Sequence, residues 1–243
     1  MNSVERFKLG NRYRDEGKYE EAMLEYISGI RLNPGFAEAH NNLGIMYKNK
    51  GLYEPAITEY RKAIELNPCL DQAYDNLGVI YLKMGLYDEP IELFQKALQI
   101  NPQDPRAHNN LGIAHEGKGE YAAAIEEYKK AIELAPDLAE GHYNLGVILG
   151  MIGNYEASID ELNQAIELQP RDAGAHYNLA LTYKNRGMTE ESIAEYQKTI
   201  ALDPNLTEAH YNLGMLYETK GEKEKAIEAW RGYLEVSAYS KCG

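Results

Sequence analysis

The chain has 243 residues and a formal net charge of −13, with Asp+Glu 38 against Lys+Arg 25. That acidity argues against a nucleic-acid partner, because affinity for a phosphate backbone rests on clustered Lys and Arg. Cys69 and Cys242 are too few and too far apart for a disulfide framework or a metal site, which makes a reducing, cytoplasmic setting the expectation. Met1 to Arg6 show no basic region followed by an apolar run, and no segment approaches the roughly 18 apolar residues of a membrane span, so neither export nor membrane insertion is expected.

Taken in order, the chain repeats itself. The hexapeptide Ala39-His40-Asn41-Asn42-Leu43-Gly44 returns letter for letter at Ala107 to Gly112, and looser copies begin at Ala73, Gly141, Ala175 and Ala209, on steps of 34 residues. A fixed period of this length marks a stack of small units in place of one large core. With Ser3 as position 1, the chain divides into a single array of seven units at 3–36, 37–70, 71–104, 105–138, 139–172, 173–206 and 207–240. Position 15 is Gly in all seven, from Gly17 to Gly221, where a chain leaving one helix turns and glycine accepts positive φ. Position 32 is Pro in six (Pro34, Pro68, Pro102, Pro136, Pro170, Pro204), which stops a second helix. Apolar residues recur between these marks at helical spacing, so each unit reads as two antiparallel helices near positions 1–14 and 18–31, and the fold class as all-α.

Position 8 is Gly or Ala throughout, whereas position 24 holds Tyr26, Tyr60, Phe94, Tyr128, Leu162, Tyr196 and Trp230. Small against large in register predicts knobs filling a fixed hole, not a row of ligand-stacking aromatics. Pro55 and Pro90 fall in the first turn of a second helix, where the missing N–H is not needed.

Leu43-Gly44, Tyr47, Gly51, Ala56, Tyr60, Ala63 and Pro68 stand in an order that resembles the tetratricopeptide repeat (TPR), whose period is also 34 residues. Several residue types agree in phase over almost the whole chain. The resemblance implies a right-handed superhelical solenoid of helix hairpins, the first helix of each lining a concave groove that holds a peptide or a partner's helix. The last unit departs from the pattern: Ala238 replaces the proline, and too few residues follow for the closing helix usual in the family. Its second helix, Ala226 to Leu234, has apolar residues on two sides, which predicts self-association through an uncapped end or a longer natural chain.

On a helical wheel, positions 4, 7, 8 and 11 of the first helix form the core side, and positions 2, 5, 6, 9, 12 and 13 face the groove. Position 6 is a ladder of Asn42, Asn76, Asn110, Asn144, Asn178 and Asn212, with Lys8 in the first unit. Asn is a middling helix former, and its amide can clamp the backbone of an extended ligand or bridge neighbouring helices. A similar Asn ladder lines the TPR superhelix of O-linked N-acetylglucosamine transferase. Position 9 is apolar in six units, suited either to ligand or to the neighbouring helix.

Charge divides the predicted groove, with Arg14, Lys48, Lys83 and Arg106 in the N-terminal half and Glu140, Glu208 and Glu218 in the C-terminal half. An elongated partner would then lay its acidic end on the first repeats. An apolar opening is expected in the middle repeats, where Gly117, Gly150 and Gly174 lack side chains, Tyr143, Tyr177 and Val147 form walls, and Met151 adapts. Tyr211 continues the tyrosine series at position 5.

Histidine recurs at position 4 (His40, His108, His142, His176, His210), in the place of the family's Trp, and His115 stands at position 11. Zinc ligands lie about 2.0–2.1 Å from one ion, while stacked helices are about 8–10 Å apart, so packing is the expectation and metal is not. No catalytic set, phosphate loop, nucleophile motif or cofactor site emerges. The family's two-carboxylate clamp is incomplete, since Gln72 and Asn76 stand where its last two cations would be. The expected function is a non-enzymatic scaffold binding a protein segment in the groove, with no nucleic-acid or membrane partner. The alternatives are a substrate-presenting domain of a larger enzyme such as a glycosyltransferase, and a self-assembling scaffold.

Overall fold

The computed structural model describes residues 1–239, which form fourteen helices and, among the described residues, no strand. They are α1 (Ser3–Asp15), α2 (Tyr19–Leu32), α3 (Ala37–Asn49), α4 (Tyr53–Leu66), α5 (Asp71–Lys83), α6 (Asp88–Ile100), α7 (Pro105–Gly117), α8 (Tyr121–Leu134), α9 (Ala139–Met151), α10 (Tyr155–Leu168), α11 (Ala173–Arg186), α12 (Thr189–Leu202), α13 (Thr207–Lys220) and α14 (Lys223–Tyr239). The odd-numbered, first helices open on the 34-residue grid read from the sequence. Two compact units result: Met1–Leu134, with the first four hairpins, and a second beginning at Ala135, with the last three. Cys242 lies outside the described residues.

Each hairpin turn follows from its glycine. All seven position-15 glycines have φ between 74° and 84°, the left-handed region that side chains resist. The next N–H folds back on the first helix, as Lys18 does to the Tyr13 carbonyl at 2.8 Å and Leu52 to that of Tyr47 at 3.0 Å. The second helix ends where proline approaches: Asn33 is extended (φ −141°, ψ 93°) because the ring of Pro34 disfavours α geometry in the residue before it. Some first helices restart on a side-chain cap, as where Asp104 accepts from the backbone N–H groups of Arg106 and Ala107 at 2.9 and 3.3 Å.

The knobs fill the holes. A Cβ built on Gly10, Gly44, Gly78 or Gly112 would come within 2.7, 2.6, 2.7 or 2.5 Å of the ring of Tyr26, Tyr60, Phe94 or Tyr128, all of which are fully buried. Repeat six reaches the same packing with Ala180 beside Tyr196. Pro55 and Pro90 are each the third residue of their helix, inside the turn that has no internal acceptor for an N–H.

Within each unit a second helix packs on its own first helix and on the first helix of the next repeat. First helices also touch one another, α3 with α5, α5 with α7 and, in the second unit, α9 with α11. Within each compact unit they form a layer with one side against the second helices and the other open. Ion pairs tie successive repeats at the turns: Lys50 to Glu20 at 2.7 Å, Lys118 to Asp88 at 2.8 Å, Arg186 to Glu156 at 2.6 Å and Lys220 to Glu190 at 2.9 Å.

Candidate functional site

The first helices carry the residues singled out in the sequence. The Asn ladder lies here, and its amides bridge repeats. Asn42 Nδ2 donates to Asn11 Oδ1 at 2.9 Å, Asn76 to Asn41 Oδ1 at 3.2 Å and Asn110 to Asp75 Oδ1 at 2.9 Å. In the second unit Asn178 donates to the Tyr143 hydroxyl at 3.0 Å and Asn212 to that of Tyr177 at 3.4 Å, each donating also to the carbonyl one turn back, of Gly174 and Glu208. Asn144 is half-buried and engaged as well. With both N–H groups of Asn178 and Asn212 occupied, those two amides have only carbonyl oxygens to offer a ligand, and Asn212 Oδ1 already accepts from Lys184 at 2.7 Å.

Burial raises the Asp75 carboxyl above its ordinary range, and the amide of Asn110 pulls it back in part. The Tyr177 phenol is raised by burial and by Glu208, and its ring centroid lies 5.8 Å from that of Tyr196. Tyr211, 45% exposed, packs edge-on to Trp230 at 5.3 Å and against Tyr233 at 5.7 Å. Position 9 is apolar because it serves the neighbouring helices: Ile45 and Val79 pack on the core, while Met215 in the last repeat is exposed.

The apolar opening expected in the middle repeats is a correction. Gly150 faces inward: a Cβ there would meet Ser158 Oγ at 3.0 Å and Thr182 Oγ1 at 3.2 Å. Those hydroxyls lie 3.1 Å apart and bond on to the carbonyls of Gly146 at 2.7 Å and Asn178 at 2.8 Å, linking α9, α10 and α11. The missing side chain thus makes room for a buried hydroxyl pair, not for a ligand. The ring of Tyr87 covers Gly117, and Tyr143 lies over Gly174, its hydroxyl 3.6 Å from a built Cβ. Of the proposed walls, Val147 is half-buried and Met151 alone stands out, 60% exposed.

Among the cations, Arg14 is held by Asp15 at 2.9 Å, which removes it from the stripe. Lys48 reaches Asn76 Oδ1 at 3.4 Å, and its ammonium is held below the usual lysine range first by burial and then by the nearby Lys83, with Asp75 opposing. Lys83 and Arg106 are exposed. Glu116 accepts the Tyr128 hydroxyl at 2.6 Å.

The position-4 histidines pack, with a partner that reading by single positions missed. His40, His108, His142 and His176 each set Nδ1 2.6 Å from a glutamate on their own second helix: Glu59, Glu127, Glu161 and Glu195. Nε2 lies 3.0–3.2 Å from the carbonyl of Pro34, Pro102, Pro136 or Pro170. Arg6 and Glu25 make the same pair in repeat one at 2.9 Å. A recurring cation and carboxylate 19 residues apart was the available signal. His210 has Ala229 in place of that glutamate and, among the described residues, keeps the Pro204 carbonyl at 3.0 Å. His115 sits at the turn, 2.6 Å from Glu120. Among the described residues no cluster of three His, Cys, Asp or Glu is placed to hold a metal, and no helix is long and apolar enough to cross a membrane.

Helix hairpins on a 34-residue grid, knob-and-hole packing and an open first-helix face define an all-α repeat scaffold. The chain belongs to the tetratricopeptide repeat family: the TPR repeat model matches residues 10–51, 46–85, 83–119, 117–153, 151–187 and 183–221, and a second tetratricopeptide repeat model matches 207–238. Among solved structures, the APC/C hetero-tetramer Cut9–Hcn1 aligns with a TM-score of 0.79 at 25% identity, over 88% of this chain and 42% of that one, so the chain spans less than half of that relative. MamA aligns at 32% identity with a TM-score of 0.64, covering 68% of this chain and 96% of that chain. MamA from Desulfovibrio magneticus RS-1, from its residue 41 on, aligns at 26% identity and 0.65, covering 70% and 96%. No curated protein matched the chain significantly.

Proposed function

We propose that the chain is a non-enzymatic interaction module of an aqueous, reducing compartment, which takes an extended segment or helix of a partner protein along the open face of its first helices. One observation carries this reading: packing positions repeat from unit to unit, whereas open-face positions do not. Position 13, exposed in every unit, runs Asp15, Asn49, Lys83, Gly117, Met151, Asn185, Thr219, and position 2 runs Val4, Glu38, Gln72, Arg106, Glu140, Gly174, Glu208. A stack needs no such variety to hold together, and a surface that changes every repeat can recognise a sequence of side chains. The ladder amides bridge repeats and support this face from beneath, while carbonyl oxygens not used inside the array remain for a ligand backbone. The net charge of −13 keeps nucleic acid outside the reading.

The test selects displayed random peptides on the parent chain and measures them on a variant with the exposed residues Lys83, Arg106, Met151 and Tyr211 all changed to Ala. Selected peptides should lose most of their affinity for a variant that melts like the parent. Equal binding to both would mean that the segment binds elsewhere.

A further inference from the structure

Position-24 tyrosines reach the open edge of their own first helix and find an acceptor there in two repeats. Tyr26 donates to Asn11 Oδ1 at 2.8 Å and Tyr128 to Glu116 Oε2 at 2.6 Å. Tyr60 and Tyr196 are equally buried, at 0% exposure, but their hydroxyls have no hydrogen-bond partner. The cause lies in the sequence: where the others have Asn11 and Glu116, these repeats have Ile45 and Leu181 at position 9 and Lys48 and Lys184 at position 12. An alkyl group offers nothing, and an ammonium can only donate. Both lysines lean on the ladder amide of the next repeat, Lys48 on Asn76 Oδ1 at 3.4 Å and Lys184 on Asn212 Oδ1 at 2.7 Å. Among the described residues neither forms an ion pair with a carboxylate, whereas eight of the sixteen lysines of this acidic chain do.

We propose that Tyr60 with Lys48 and Tyr196 with Lys184, one pair in each compact unit, are oxyanion sites that each receive an aspartate or glutamate carboxylate of the bound segment, the lysine turning to it from its ladder amide. The inference rests on the reading that the open face holds such a segment. Each pair sets a hydroxyl donor without an acceptor near an ammonium that holds only an amide oxygen, and one carboxylate answers both. Asp75 already acts on Lys48 and Tyr60, so that site is the weaker of the two. The array itself supplies the precedent, since Glu116 places a carboxylate oxygen on the Tyr128 hydroxyl from the position that Lys48 and Lys184 occupy. A single ammonium and a single hydroxyl match a singly charged carboxylate better than a phosphoryl group, which needs more cationic donors. Both hydroxyls are shielded, so a carboxylate reaches them only as the side chains over them move. Burial also pushes both phenols well above their ordinary range, which keeps them protonated donors at every physiological pH. These clusters differ from the family's two-carboxylate clamp, whose last two cations are absent here.

The test is calorimetric titration of the full chain with hexaglutamate and with hexaglutamine as the neutral control. Hexaglutamate should bind more tightly, and less so as salt rises. Tyr60→Phe or Tyr196→Phe should each weaken it about fivefold at the altered site, and Lys48→Met with Lys184→Met together should abolish the preference. The Phe variants should melt no lower than the parent, because they delete an unpaired hydroxyl. Equal affinity for the two peptides overturns the proposal. So do Phe variants that melt lower yet keep full hexaglutamate affinity, which would place an internal water on the hydroxyl. Displayed peptides that need the open face but contain no acidic residue would overturn this inference and leave the proposed function standing.

Discussion

Asn110 shows at the scale of one residue why the ladder recurs. Its amide donates to Asp75, a carboxylate already raised by burial, so the bond offsets a cost that the fold carries whether or not a partner is present. Asn110→Ala removes the donor and leaves the acceptor buried, a loss of about 1–3 kcal/mol near neutral pH. The sign follows from the raised folded pKa. Asp75 is least costly below its unfolded value, about 3.9, and the penalty grows as pH rises through the folded value, so the variant's deficit should shrink on acidification. Melting curves of parent and variant at pH 7 and near pH 4 check this, alongside the affinity for a selected peptide. A variant that melts like the parent but no longer binds would make the amide a ligand contact alone. The acceptors along the ladder were not legible in the sequence, because they change chemistry from Asn41 to Asp75 to the hydroxyls of Tyr143 and Tyr177, and no one letter runs through them.

At the scale of the helix hairpin, the most repeated polar contact joins the two helices through histidine. Both partners of His40, the Glu59 carboxylate and the Pro34 carbonyl, are acceptors, so a ring that serves both must donate from both nitrogens. The bond to Glu59 raises the His40 pKa, burial opposes this, and the carbonyl adds to the rise. A raised folded pKa means that the contribution is complete below the unfolded value, about 6.5, and fades as pH rises through the folded value. The difference in melting temperature between the parent and Glu59→Gln should therefore be widest near pH 6 and narrow toward pH 9; a difference constant across that range would show that the ring carries no proton. Hairpins were largely legible, since Gly17 to Gly221 mark the turns and the size pairing of Gly44 with Tyr60 recurs in phase. Gly150 was misread because a wheel drawn for one helix treats position 12 as open, whereas Ser158 and Thr182 close on it from two other helices. The pairing of His40 with Glu59 stayed hidden for the same reason: a contact between helices has no local period, and only its recurrence at His108 and Glu127 reveals it.

At the scale of the whole molecule, the question is what the two ends do to one another between copies. Ile227 and Leu234 on α14 are 53% and 61% exposed, and that uncovered apolar surface favours association. Head-to-tail stacking in the register of the internal repeats is the heterologous contact such an end invites, and it does not close on itself. That register has a charge rule, however: Lys50, Lys118, Arg186 and Lys220 at position 14 each meet Glu20, Asp88, Glu156 or Glu190 at position 18 of the repeat before. At the ends the same positions hold Glu16 and Glu224, so a second copy stacked in register sets carboxylate against carboxylate, on top of −13 against −13. Exposed like charges repel over about 10 Å at 0.1 M salt and over much less at 1 M, whereas apolar burial is not screened. The chain should therefore sediment as a monomer at low ionic strength and associate as salt rises. Glu16→Lys turns the repulsion into the pair found at four internal junctions, and should associate at low salt and lose that advantage when the salt is raised. Sedimentation velocity on both proteins across a salt series decides the matter. If the parent elongates at low salt as readily as the variant, the register charges do not govern the ends, and apolar contact alone does.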